Sequence, residues 1–206
     1  MEATPSTRLD PRARDLLLRT AAEAIEAGLT AVDQPQPDLR SLPGELLREQ
    51  ASFVTLTIEG RLRGCCGTLE KRLPLAADVW HNAQASAFRD PRFEPLRARE
   101  WICADLEVSV LSPLERVAAG SELELLRQLR PGVDGLVIAW RGTRATFLPK
   151  VWEQLREPHD FLQHLKSKAG WRTDFWASDV EVWRYRTEIM SVQRPAATLA
   201  AAPRTS

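Results

Sequence analysis

Apolar and polar residues alternate most regularly between Ser52 and Glu59. Val54, Leu56 and Ile58 fall on one side of an extended chain, and Thr55 and Thr57 on the other, the two-residue period of a half-buried strand. Glu59-Gly60 reads as a turn and Arg61 to Thr68 as the returning strand of a hairpin. Continued alternation puts Leu62, Gly64, Cys66 and Thr68 on the core face and turns Arg63 and Cys65 together to the opposite face; a single bulge would exchange the two sets. Asp105 to Leu111 repeats the pattern, with Leu106, Val108 and Val110 inward and Glu107 and Ser109 on the other face. A second hairpin is predicted for Gly135 to Trp140 and Thr143 to Leu148 around Arg141-Gly142, and Val180 to Val192 reads as one long final strand.

Helical spacing accounts for most of the rest. Asp10 is a good cap and Pro11 suits a first helical position; Leu18, Ala21, Ala22, Ile25 and Leu29 form the apolar stripe of this first helix, and Gly28 is where it is expected to stop. A loop marked by Pro35, Pro37 and Pro43 leads to a short helix over Glu45 to Gln50. The helix from Pro74 to Phe88 buries Ala76, Val79, Trp80, Ala83 and Ala87, small side chains that predict close packing on a sheet, and Asp90-Pro91 ends it. Ser121-Glu122-Leu123-Glu124 is a capping box. It opens a helix ending at Pro131-Gly132, and further helical pieces fall near Val151 to Leu155 and over Asp160 to Ala169, closed by Gly170. Helices interspersed with hairpin strands predict an α+β fold, mainly antiparallel sheet with flanking helices. Residues 1–12 and 193–206 are expected to be flexible tails around a single domain over 13–192.

Composition narrows the function classes. A hydrophobic share of 44% over 206 residues fills a sizeable core. The 28 basic and 28 acidic residues cancel, which argues against a general binder of nucleic acid or acidic membranes. No run of eighteen apolar residues is present, and Met1 to Asp10 lacks the charged-then-apolar pattern of a secretory signal. The three cysteines, two of them adjacent, make no disulfide framework, so a cytoplasmic setting is expected.

Candidate chemistry centres on Arg63-Gly64-Cys65-Cys66-Gly67-Thr68. Flanking glycines let other atoms approach the backbone closely, and a neighbouring cation favours thiolate, the reactive form of cysteine. Cys65 shares a face with Arg63 and is the candidate nucleophile, whereas Cys66 falls on the core face as a small apolar residue. Glu107 in mid-strand and Asp90 in the turn are the candidate proton carriers. Each has an ordinary structural use as well: Cys65 as a buried hydrophobe, Glu107 as a solvated strand residue, Asp90 as a turn former. His81, His159 and His164 show no zinc-ligand spacing with one another or with the cysteines, so no structural zinc is expected, and a site assembled from Cys65 and distant carboxylates stays open. There is no phosphate-cradling glycine loop and no Gly-x-Ser-x-Gly elbow.

Leu62-Arg63-Gly64-Cys65-Cys66-Gly67-Thr68 resembles the Leu-Arg-Gly-Cys-Ile-Gly-Thr signature of the AMMECR domain family, the family of AmmeMemoRadiSam system protein A. Asp90-Pro91-Arg92-Phe93 matches its Asp-x-Arg-Phe turn, and Glu107 to Ser112 is similar to its Ile-Ser-Val-Leu-Ser strand. Gly132 to Leu136, Phe147 to Val151 and the Phe161-Leu162 to Lys168-Ala169-Gly170 helix follow in the family's order, so the resemblance spans roughly residues 13–192. The departure is Cys66, where the family has isoleucine, an apolar exchange at a position assigned to the core.

The resemblance implies an α+β fold with a larger and a smaller lobe and a cleft lined by the signature residues. It brings no assigned reaction and leaves any cofactor unknown. It implies, by association, a Memo-like protein and a radical S-adenosylmethionine protein as partners in a modification pathway. Two readings follow. In one, the protein is a cysteine-dependent enzyme: Cys65 acts as nucleophile or acid/base, Glu107 or Asp90 handles protons, and Arg63, Gly64, Gly67, Thr68 and Arg92 bind substrate. In the other, it is a non-catalytic module that binds a protein or ligand through Arg63 and Arg92, with Cys65 filling a tight space.

Overall fold

The computed structural model describes residues 8–30 and 38–193. The chain divides into two compact units, a larger one that reaches Val110 and resumes at Glu188, and a smaller one over Leu111–Thr187. The larger unit opens with α1 (Pro11–Thr30), followed by the hairpin β1 (Ser52–Ile58) and β2 (Arg61–Gly67), then α2 (Leu75–Phe88), the single turn α3 (Ala98–Trp101) and β3 (Asp105–Leu111). The smaller contains β4 (Glu115–Arg116), α4 (Glu122–Gln128), β5 (Gly135–Trp140), β6 (Thr143–Phe147), α5 (Pro158–Lys168) and β7 (Glu181–Tyr185), and the last strand, β8 (Thr187–Val192), returns to the larger. Each unit has a four-stranded sheet, ordered β2-β1-β3-β8 and β4-β7-β5-β6. The α+β architecture is as expected. Among the described residues no helix is long and apolar enough to cross a membrane.

Val54, Leu56, Leu106 and Val108 make the buried face of the first sheet and pack with Val79, Trp80 and Ala83 of α2; each large side chain buried this way contributes roughly 1.5–3 kcal/mol. The smaller unit has its own core, in which Trp152 stacks on Phe161 with ring centroids 3.8 Å apart. Its Lys166 is fully buried and donates to Glu122 Oε2 and to the Thr173 carbonyl.

Several local expectations are corrected. α1 runs through Gly28 to Thr30 because Gly28 is a packing position: a Cβ there would lie 2.2 Å from the Phe88 ring. The segment after Pro43 is a short 3-10 turn over Gly44–Leu47, not a helix to Gln50. The expected single strand from Val180 to Val192 is two strands in different sheets. Its burial pattern gives the reason: Val180, Val182 and Tyr185 are all buried, so the two-residue alternation breaks before Arg186.

Leu62 is the main correction. It is 44% exposed and leaves the core. Register along the hairpin pairs Leu56 with Gly64 and then Thr57 with Leu62, so Arg63 is the extra residue of a β-bulge. Leu62 thus falls on the threonine face, while beyond the bulge Gly64 and Cys66 keep the core face and Cys65 the opposite one. The tails expected over 1–12 and 193–206 and the loop prolines Pro35 and Pro37 lie outside the described residues, apart from 8–12 and 193. Within 8–12, Leu9 is buried, and Asp10 caps α1 by accepting the Ala13 N–H at 2.8 Å.

Candidate functional site around Cys65

Among the described residues β2 is an edge strand, and one row of its backbone groups has no strand to pair with there. The turn after α2 covers that edge. Pro91 forbids further helix, and the Phe93 N–H closes the turn on the Asp90 carbonyl at 3.1 Å. The Cys65 N–H donates to Asp90 Oδ2 at 2.9 Å, and Arg92 Nη2 donates to the Cys65 carbonyl at 3.2 Å. The two turn residues also bind each other, Arg92 N–H and Nε on Asp90 Oδ1 and Nη2 on Oδ2 at 2.7 Å. An ion pair therefore stands in for a neighbouring strand, one charge for the donor and one for the acceptor. The Arg92 guanidinium holds the Asp90 carboxyl far below the usual carboxylate range, and Asp90 in turn raises Arg92.

Arg63, pushed out by the bulge, is drawn to α3. Its Nε and Nη2 donate to the two Glu100 carboxylate oxygens at 2.9 and 3.1 Å, and Nη2 also donates to the Glu94 carbonyl at 2.8 Å. This pairing lowers Glu100 below its ordinary value. The Phe93 ring lies near both guanidinium groups, 5.8 Å from Arg63 Cζ and 5.5 Å from Arg92 Cζ.

Cys65 itself stands directly opposite Thr55 of β1, and Thr55 stands opposite Glu107 of β3. Directly paired residues point to the same face. One row across the sheet therefore carries a thiol, a hydroxyl and a carboxylate, all three residues half-buried. The Thr55 hydroxyl donates to Cys65 Sγ at 3.4 Å. Cys65 and Glu107 have one strand between them, so their backbones are about 10 Å apart. Cys66 pairs with Val54 on the core face, half-buried. Burial first, then the charges of Asp90 and Cys65, pushes its thiol up.

The signature glycines meet the protein's own atoms. A Cβ on Gly64 would lie 2.2 Å from the Ser86 carbonyl of α2, and one on Gly67 would lie 2.3 Å from the Phe53 ring. Thr68 donates its N–H to the Ser52 carbonyl and accepts the Glu70 N–H at Oγ1, closing the turn after β2. The structure thus brings Cys65, Asp90 and Arg92 into direct contact, sets Glu107 in the same row as Cys65, and turns Arg63 toward Glu100.

Sequence reasoning missed a buried polar cluster beneath the hairpin. Asp78 Oδ2 accepts the Ser52 N–H, the Ser52 hydroxyl and Asn82 Nδ2 at 2.9, 2.6 and 2.9 Å. Burial raises the Asp78 carboxyl despite these donors. The only signal was the four-residue spacing of Asp78 and Asn82 on a helix otherwise rich in alanine. Among the described residues no group of three or more His, Cys, Asp or Glu side chains is placed to hold a metal ion.

Comparison with known proteins gives a consistent picture. The AMMECR1 family model matches residues 18–190. A protein of Thermofilum pendens is 34% identical over 200 residues, 91% of this chain and 93% of its own. Protein MJ0810 of Methanocaldococcus jannaschii is 32% identical over 161 residues, 76% of this chain and 80% of its own. The crystal structure of uncharacterized protein PH0010 from Pyrococcus horikoshii superposes with a TM-score of 0.81 at 29% identity, covering 91% of this chain and 98% of that one.

Proposed function

The chain belongs to the AMMECR1 family, and on that footing we propose that it is a cysteine-dependent enzyme with Cys65 as its nucleophile. The observation that carries the reading is the orientation of the thiol. Cys65 faces away from the α2 side of the sheet, in one row with the Thr55 hydroxyl and the Glu107 carboxylate. A nucleophile and an acid/base group separated by one strand suit a substrate lying across Thr55, with Glu107 giving or taking its proton on the substrate and not on the thiol. Asp90 and Arg92 act in this proposal as positioning residues, because they grip the Cys65 backbone from both sides. Gly64, Gly67 and Thr68 shape the strand around it, and Arg63 anchors the bulge through Glu100. A modification pathway shared with a Memo-like protein and a radical S-adenosylmethionine protein, as the family resemblance implies, belongs to the same proposal. So does a cytoplasmic setting, which the three free thiols support.

One observation favours the alternative of a non-catalytic binding module. Most of the signature's charged and small residues are engaged in holding the sheet edge, so the signature could be framework throughout. Cys65→Ser separates the two readings. The enzyme reading expects loss of cellular function with fold and partner capture retained, and a covalent substrate adduct on wild-type Cys65 that the serine variant lacks by mass spectrometry. Full function in the serine variant overturns it.

A further inference from the structure

We propose that Thr55 is a positioning residue for the Cys65 thiol, an inference that rests on reading Cys65 as the nucleophile. Thr55 lies on β1, which is paired on both sides, to β2 at Cys65 and to β3 at Glu107. Its backbone is therefore fixed from two directions. Its branched side chain is stiff at χ1, so the hydroxyl is delivered to one place, 3.4 Å from Cys65 Sγ. A valine would satisfy the same strand equally well; what threonine adds here is the donor on sulfur. Thr57, two residues along the same face, stands opposite Leu62 beyond the bulge and so has no thiol to serve. The register change at Arg63 therefore singles out one threonine. A hydroxyl aimed at sulfur does two things. It selects one orientation of the side chain over the sheet, and it stabilises negative charge on sulfur when an adduct forms or breaks.

The test uses the full chain and three variants, Thr55→Val, Thr55→Ala and Thr55→Ser. The rate of Cys65 modification by iodoacetamide is followed from acid to alkaline pH, with Cys65 and Cys66 distinguished by peptide fragmentation, and circular dichroism reports the sheet. Removing the hydroxyl, worth about fivefold as one hydrogen bond, is expected to slow modification at neutral pH about twofold and to raise the alkaline plateau about twofold, because a thiolate without its donor is the stronger nucleophile. Thr55→Ser is expected to restore the neutral rate. A purely structural role would shift no pH profile. Wild-type profiles in the hydroxyl-free variants overturn the inference, as does a serine variant slowed as much as the valine one. Thr55→Ala carries the same reading should the valine variant lose its sheet. The profile reports on the thiol whether or not Cys65 turns over substrate, so failure here is distinct from the absence of a trapped adduct.

Discussion

Asp90→Asn is the perturbation that bears most directly on how Cys65 is held. The Asp90 side chain is only 3% exposed, and its two oxygens accept four hydrogen bonds, from the Cys65 N–H and from the N–H, Nε and Nη2 of Arg92. Asparagine offers one oxygen and one NH2. If the oxygen takes the Cys65 N–H, the amide donor faces the donors of Arg92; if it turns over, the Cys65 N–H is left without an acceptor. Breaking a buried ion pair by removing one partner costs about 3–5 kcal/mol. Arg92 is 54% exposed and can turn to water, which moves the expectation to the low end, about 3 kcal/mol. For a chain of this size that is a fall in Tm of about 10 °C. Arg92 holds the Asp90 carboxyl below its unfolded value. The native state therefore binds fewer protons, and the stabilisation is complete above an unfolded carboxyl value of about 4 and is lost as pH falls through the native one. Urea denaturation at a series of pH values measures this: wild type weakens on acidification and the gap to the asparagine variant narrows. Hydrogen exchange gives the local readout, since the Cys65 amide should lose its protection in the variant. An asparagine variant as stable as wild type at neutral pH, with that amide still protected, would refute the reasoning and return Asp90 to the role of proton carrier.

Two further outcomes follow from the packing beneath the hairpin. Gly64→Ala sets a methyl group 2.2 Å from a helix carbonyl that cannot move alone, so a loss of about 3 kcal/mol in urea unfolding is expected; an unchanged midpoint would show that α2 has room to shift. Asp78 has its carboxyl raised by burial, so the native state holds that proton to higher pH than the unfolded chain and ionisation costs stability as pH rises. Asp78→Asn keeps an acceptor for Ser52 and Asn82, and its stability relative to wild type should improve from acid to neutral pH; a constant difference across that range contradicts the assignment.

The fold was legible wherever one physical pattern dominated. Two-residue alternation places β3 to the residue and β1 to within one, and the alanine stripe places α2 and its close approach to the sheet. Failures came where a contact distant in sequence overrode the local signal. Gly28 looks like a helix stop and is a seat for the Phe88 ring. Leu62 looks like core and is displaced by a bulge at Arg63, whose guanidinium pairs with Glu100, 37 residues away. The orientation of Cys65 was nevertheless reached, because the bulge falls before it and register resumes at Gly64. The pairing of Thr55 with Cys65 was within reach of the same hairpin argument; its hydroxyl contact with sulfur was not, since period fixes faces and not side-chain distances.

The signature divides by physical task once each atom has its partner. An edge strand must blunt its open backbone or risk pairing with another chain, and here a buried aspartate and its arginine do so at Cys65. A sheet that carries a closely packed helix must lack a side chain at the contact, and Gly64 does so under Ser86. Neither need requires a thiol at position 65. A serine or alanine would leave the Asp90 and Arg92 contacts intact, because both are made to the backbone. The framework thus has no need of the Cys65 sulfur, which faces a hydroxyl in the direction away from the helix. That orientation, on a residue the framework does not need as a thiol, is what the proposal of Cys65 as nucleophile stands on.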